Sequence, residues 1–154
     1  MLNIFAVALS LFVLYGDVLI ARSHADSHSE ECNKEKATPD KAFALCLRRG
    51  AYLANFETLE EAMLMKYELQ QMKTGLHFHI GGRNINRYVP GGDWRWIQNG
   101  KMNKMTYKAF GARQPDGSNA GPQDCMMFYA GERYIFHDIL CDHPSWSSGY
   151  ICEK

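Results

Sequence analysis

The sequence predicts an α+β domain stapled by disulfides, and three observations carry that expectation. Two helical segments come first and the strand-like segments follow, an order that separates α+β domains from alternating βαβ folds. A polar stretch over residues 111–124, GARQPDGSNAGPQD, interrupts the strands; ordered loops of that length are usually functional. All five cysteines, Cys32, Cys46, Cys125, Cys141 and Cys152, lie downstream of an N-terminal apolar run.

That run covers residues 2–15 and is broken by Gly16-Asp17. It is shorter than the roughly 20 residues that cross a bilayer. It suits the apolar region of an export signal, with Ala21-x-Ser23 as a small-x-small cleavage site. The expected organisation is a signal peptide over 1–23, a polar N-terminal arm over 24–35 and one domain over 36–154, in a secreted protein with no membrane span. Export puts the cysteines in an oxidising compartment, where structural disulfides are expected. Zinc is the rival reading, ranked lower because no C-x-x-C pair exists. Seventeen basic and seventeen acidic residues are scattered along the chain, which leaves no stripe for nucleic acid.

Each element has a local signal. Thr38-Pro39 opens the first helix: the threonine caps free N–H groups and the proline fits the first turn. Phe43, Cys46 and Leu47 give that helix an apolar face, and Gly50 ends it. A short strand over 52–54 follows. Thr58 and Glu61 form a capping box for a second helix over 59–73, with Met65, Leu69 and Met72 turned inward. Beyond Gly75, Phe78 and Ile80 alternate with His77 and His79 until Gly81-Gly82 interrupts the strand, an alternation that puts both histidines on a solvated face. Residues 94–97 alternate again, and Asn99-Gly100 is a hairpin turn. Segments 125–129, 134–140 and 149–152 complete the strands.

Several motifs then stand in one order. After the cysteine-bearing helix and the capped helix come Phe78-His79-Ile80-Gly81-Gly82, Gly92-Asp93-Trp94-Arg95-Trp96, Gln114-Pro115-Asp116, Gln123-Asp124-Cys125, Phe136-His137-Asp138, Cys141 and Tyr150-Ile151-Cys152-Glu153-Lys154. Together they resemble the C-type lectin family over about residues 36–154. The resemblance implies two helices and two small antiparallel sheets with a long ligand loop. It also implies disulfides Cys46–Cys152 and Cys125–Cys141. Cys32 is left over, either as a free thiol or as the link of a covalent homodimer.

In lectins of this family sugar hydroxyls coordinate a calcium ion beside the long loop. The matching positions here are Gln114, Asp116, Gln123, His137 and Asp138. Gln-Pro-Asp resembles the galactose or N-acetylgalactosamine version of the loop, and a cis bond before Pro115 would turn Gln114 and Asp116 toward one ion. Two positions depart from the family: Gln123 replaces a glutamate and His137 an asparagine. Calcium prefers oxygen and carboxylate ligands, so its binding is expected to be weak or absent, with zinc or no metal as the alternative. Gly117 stands where the accessory calcium site needs an acid. The loop holds no aromatic residue to stack on a sugar, so Tyr134 or Trp146 would serve from nearby. Trp94 and Trp96 read as core.

The implied function is a carbohydrate-binding lectin for glycans or cell-surface glycoproteins. The alternative is a non-enzymatic recognition protein on the same scaffold, such as a gamete-recognition lysin of the egg envelope; the format resembles molluscan perlucin-like lectins and mussel sperm acrosomal lysins. Catalysis is not expected. His137 and Asp138 are neighbours on a strand, where successive side chains point to opposite faces, and no nucleophile frame accompanies them.

Overall fold

The computed structural model describes residues 17–21, 29–87, 89, 91–117 and 121–154. The apolar run over 2–15 and the expected cleavage site lie outside the described residues.

Helix α1 (Pro39–Arg48) starts as its sequence dictates: the Thr38 hydroxyl accepts from Lys41 N, and Asp40 lies in the first turn, where the helix dipole favours an acid. Its buried face is Pro39, Ala42 and Cys46. Leu47, expected on that face, is 44% exposed; the face is set by Cys46, whose sulfur is tied into the sheet, and Leu47 lies one helical step round from it. Helix α2 (Leu59–Met72) carries the full capping box between Thr58 and Glu61. It ends at Lys73, left-handed at φ 50°, and buries Ala62, Met65 and Leu69.

The strands are β1 (Asp17–Ala21), β2 (Ser29–Ala37), β3 (Tyr52–Leu53), β4 (Phe78–Asn84), β5 (Trp94–Gln98), β6 (Lys101–Lys104), β7 (Cys125–Tyr129), β8 (Ile135–Ile139) and β9 (Ser148–Glu153). One path runs β1-β2-β9-β4-β5-β6, a second arm leaves β4 through β7 to β8, and β3 pairs with β9. The two expected sheets thus share β4. Pairing is antiparallel except between β4 and β9, which run parallel at Phe78↔Gly149 and His79↔Tyr150. The segment read as a polar arm is largely β2, which aligns Cys32 with Ile151 of β9. Residues 17–21, placed by sequence within the signal, form β1 at the sheet edge. Asn99 and Gly100 turn the β5–β6 hairpin with positive φ at both residues, 50° and 69°.

Gly81-Gly82 does not end β4, but the pairing of β4 with β7 shifts register across them, between Ile80 and Arg83. A Cβ at Gly81 would lie 2.7 Å from the Leu53 carbonyl oxygen, and one at Gly82 would lie 2.7 Å from Met126 Sδ. The glycines let neighbouring segments close on the strand, a common reason for glycine inside a sheet. The core gathers around this hub: Phe128 stands 5.3 Å from Phe56 and 5.0 Å from Phe136 between ring centroids, and Trp94 and Trp96 are buried with them.

The disulfides Cys46–Cys152 and Cys125–Cys141 both form. Cys32, expected as a free or intermolecular thiol, is 0% exposed. Its side chain packs into the core cluster, with β1 paired along β2 at Val18↔Cys32.

The solvated-histidine reading fails at His79, which is 0% exposed and donates from Nε2 to Ala37 O at 2.9 Å. Alternation predicts one wet face only when one face of a sheet is open, and β4 is covered on both. Burial lowers the His79 pKa to about 4, with hydrogen bonds from the ring to backbone carbonyls opposing the shift only in part. The folded pKa lies below the unfolded value of 6.5, so the native state binds fewer protons between the two. The stabilisation is complete above pH 6.5 and is lost as pH falls toward 4. Urea titrations at pH 7 and pH 4 should show His79→Gln losing about 3 kcal/mol less than the unmodified protein over that interval. Equal losses would show that His79 takes no part in the acid response.

Candidate functional site

The long loop, the end of β8 and the turn after Cys141 meet at a pocket of about 150 Å³. Gln114, Asp116, Gln123, His137 and Asp138 all line it, together with Tyr129, Ile139 and Trp146. The structure therefore brings together all five residues singled out by sequence. His137 and Asp138 both contribute although they are consecutive on β8, because the pocket wraps the strand end and does not sit on one face.

Asp138 organises the pocket. Its Oδ1 accepts from Asp116 N at 3.1 Å and its Oδ2 from Gly117 N at 2.8 Å. The Gln114–Pro115 bond is cis, as expected, and it delivers Asp116 and Gly117 to this carboxylate. Burial pushes the Asp138 pKa up, and the two backbone N–H bonds pull it partly back. Only one orientation of the Gln123 amide satisfies its surroundings. Its nitrogen then lies 3.1 Å from Asp138 Oδ2, 3.1 Å from Asp116 Oδ1, 3.2 Å from Gly117 O and 3.2 Å from Asp138 O. One amide nitrogen thus sits among four oxygens drawn from both sides of the pocket. The side-chain oxygen of Gln114 is buried there with no hydrogen-bond partner among the described residues.

The far wall is aromatic. Tyr129 is stacked between two imidazoles, His77 at 4.5 Å and His137 at 4.4 Å. Two rings at such distances cannot share one face, so both faces of Tyr129 are covered. His77 Nδ1 accepts from Ala130 N at 2.9 Å, and burial, followed by repulsion from His137, lowers its pKa. His137 Nε2 lies 3.2 Å from Glu132 Oε2 without the alignment of a hydrogen bond. Tyr134 plays no part here: it is 6% exposed and belongs to the core cluster beside Phe78. Trp146, on the 3-10 turn Pro144–Trp146, is half-buried against Cys125, Met127 and Ile139 and borders the pocket. Tyr129 escaped the sequence reading because an aromatic residue inside a strand reads as core.

The donor set does not fit calcium. Both Asp138 oxygens already accept from N–H groups, Asp116 and Asp138 are the only carboxylates of the five, and His137 offers nitrogen where a hard cation wants oxygen. Nor is there a zinc cluster here among the described residues. The one compact group of potential ligands, Asp40 with Cys125 and Cys141, has its sulfurs in a disulfide.

Solved structures share this architecture. The human scavenger receptor C-type lectin carbohydrate-recognition domain is 23% identical at a TM-score of 0.70, covering 88% of this chain and 95% of that one. The complex of SPL-1 with GlcNAc is 18% identical at 0.67, covering 85% and 90%. The Ca2+-independent C-type lectin SPL-2 from Saxidomus purpuratus is 19% identical at 0.67, covering 85% and 88%. At these identities the likeness establishes the fold. The lectin C-type domain family matches by sequence across residues 35–154, and the chain belongs to that family.

Proposed function

We propose that the chain is a secreted lectin that binds uncharged sugars of glycans or cell-surface glycoproteins without a metal ion, through the pocket between Gln114 and Trp146. The feature that carries this reading is the Gln123 amide, which ends among four oxygens and, by the hydrogen-bond network, is assigned to face them with its nitrogen. An N–H donor there does locally what a cation would do: it holds Asp116, Gly117 and Asp138 together. The Gln114 side-chain oxygen, buried and without a partner among the described residues, then supplies an acceptor for a sugar hydroxyl. Trp146 supplies the apolar wall. The loop is of the galactose or N-acetylgalactosamine type. SPL-1 was solved with GlcNAc and SPL-2 is described as Ca2+-independent, which supports a sugar site that works without the ion.

Export by the 2–15 segment belongs to the same reading, and cleavage after Ser23 would remove β1. No helix among the described residues is long and apolar enough to cross a membrane. Domains of this family are generally not enzymes. A second reading, recognition of a protein surface such as the egg envelope, is favoured by how fully Asp138 and Gln123 are committed to the loop itself.

The test is a glycan array run on the secreted protein with calcium, with zinc and with chelator. Binding to galactosides or GlcNAc that persists in chelator is expected. Binding that requires calcium overturns the metal-free reading, and silence on every glycan favours protein recognition. In the double variant Gln123→Glu, His137→Asn the pocket regains an acid and an amide oxygen, and calorimetry should detect calcium binding that the natural protein lacks.

A further inference from the structure

A groove of about 700 Å³ opens on the other side of the loop leg formed by residues 121–125. Along that leg Gln123 turns into the small pocket while Asp124 lines the groove. The division repeats at the end of β8, where Asp138 belongs to the pocket and Leu140 to the groove. The two aspartates are used differently. Both oxygens of Asp138 accept from loop N–H groups. Asp124 is 4% exposed; its Oδ2 accepts from Arg87 Nε at 2.9 Å, while its Oδ1 has no partner among the described residues. A buried carboxylate oxygen without a donor is costly, and a ligand hydroxyl would relieve that cost.

The charges of the wall narrow the ligand class. Arg83 is held by Asp40 and, at 2.8 Å, by Cys141 Sγ, and Arg87 is paired with Asp124. Asp142 adds a further carboxylate. Arginines already matched by aspartates do not favour sulfate or phosphate, while the Arg83 guanidinium has five N–H groups and can donate to a neutral oxygen as well as to Asp40 and Cys141. Leu140, Ile97 and Pro122 add an apolar strip. A wall with donors, one unsatisfied acceptor and an apolar strip complements an uncharged sugar ring, and the volume falls within the usual range of ligand sites, about 300–1,000 Å³.

We propose that this groove is a second saccharide site, in which a hydroxyl donates to Asp124 Oδ1 and the ring lies against Leu140. It does not depend on the pocket around Asp138. One domain then carries two sugar sites on opposite sides of a single loop leg and can bridge two glycans without dimerising, which raises avidity.

The test is amide NMR of the secreted protein in chelator, titrated separately with lactose, GlcNAc and sodium sulfate. Two sets of shifts that saturate independently are expected with at least one sugar, one at residues 114–117 and 137–138, the other at 83–87 and 140–143. Asp124→Asn should weaken the second set about tenfold and spare the first. Ile85→Trp should do the same by narrowing the groove, and since Ile85 is 44% exposed it leaves the core intact. No groove shifts with either sugar, or groove shifts that both variants leave unchanged, would overturn the proposal. Shifts there with sulfate alone would overturn the uncharged-ligand assignment. Groove shifts without shifts at 114–117 would sustain this site and sink the reading of the first; the reverse would sink this one.

Discussion

Replacing Cys46 and Cys152 together by alanine is expected to destabilise the domain by about 4 to 5 kcal/mol in the chain-entropy account. The bond spans 106 residues, so it removes the largest loop-closure freedom available to the unfolded chain. It also joins α1 to β9, the strand on which β2, β3 and β4 all converge. Cys125–Cys141 spans only 16 residues and its removal should cost about 3 kcal/mol. Guanidinium denaturation of the two double variants under non-reducing conditions gives the comparison. The long-loop variant should unfold at lower denaturant than the short-loop variant. Equal losses, or the reverse order, would show that strain or residual structure outweighs chain entropy in this domain.

How much could be read from the sequence depended on the range of the cause. Thr58-x-x-Glu61 and Asn99-Gly100 are local devices whose partners lie within a few residues, and both form as expected. The disulfides and the five pocket residues lie far apart in the chain, and only the resemblance to a family linked them. His79 was misread because its burial comes from α1 and β2 closing over a strand that also faces the core, which a window of alternating residues cannot report. The same limit applied to Gly81-Gly82, whose reason lies in Leu53 and Met126, distant in sequence. At Gln123 the sequence showed the loss of a charge. It did not show what the amide does instead, because the four oxygens around it come from Asp116, Gly117 and Asp138 in two separate segments.

That arrangement makes Asp138 the residue whose loss should matter most for binding. In Asp138→Ala, the Asp116 and Gly117 N–H groups and the Gln123 amide lose their shared acceptor at once. Hydrogen bonds to a charged group contribute roughly 1.5 to 3 kcal/mol each, and buried donors left unpaired add a further cost. Sugar affinity should fall by about a hundredfold or more, equivalent to roughly 3 kcal/mol, since the loop no longer holds Gln114 and Asp116 in place. Asp138→Asn should not rescue it, because an amide in this position turns one N–H toward a backbone N–H that needs an acceptor. Gln123→Ala alone should cost less, and the double variant should be little worse than Asp138→Ala, since both residues act through one network. Calorimetric titration with the best sugar from the array measures the affinities, and hydrogen exchange at Asp116 and Gly117 reports the loop directly. If Asp138→Ala binds sugar as tightly as the natural protein while those amides lose protection, the loop is ordered for some other purpose and the pocket is not the sugar site. If protection persists as well, Asp138 does not hold the loop, and the metal-free network built on it is wrong.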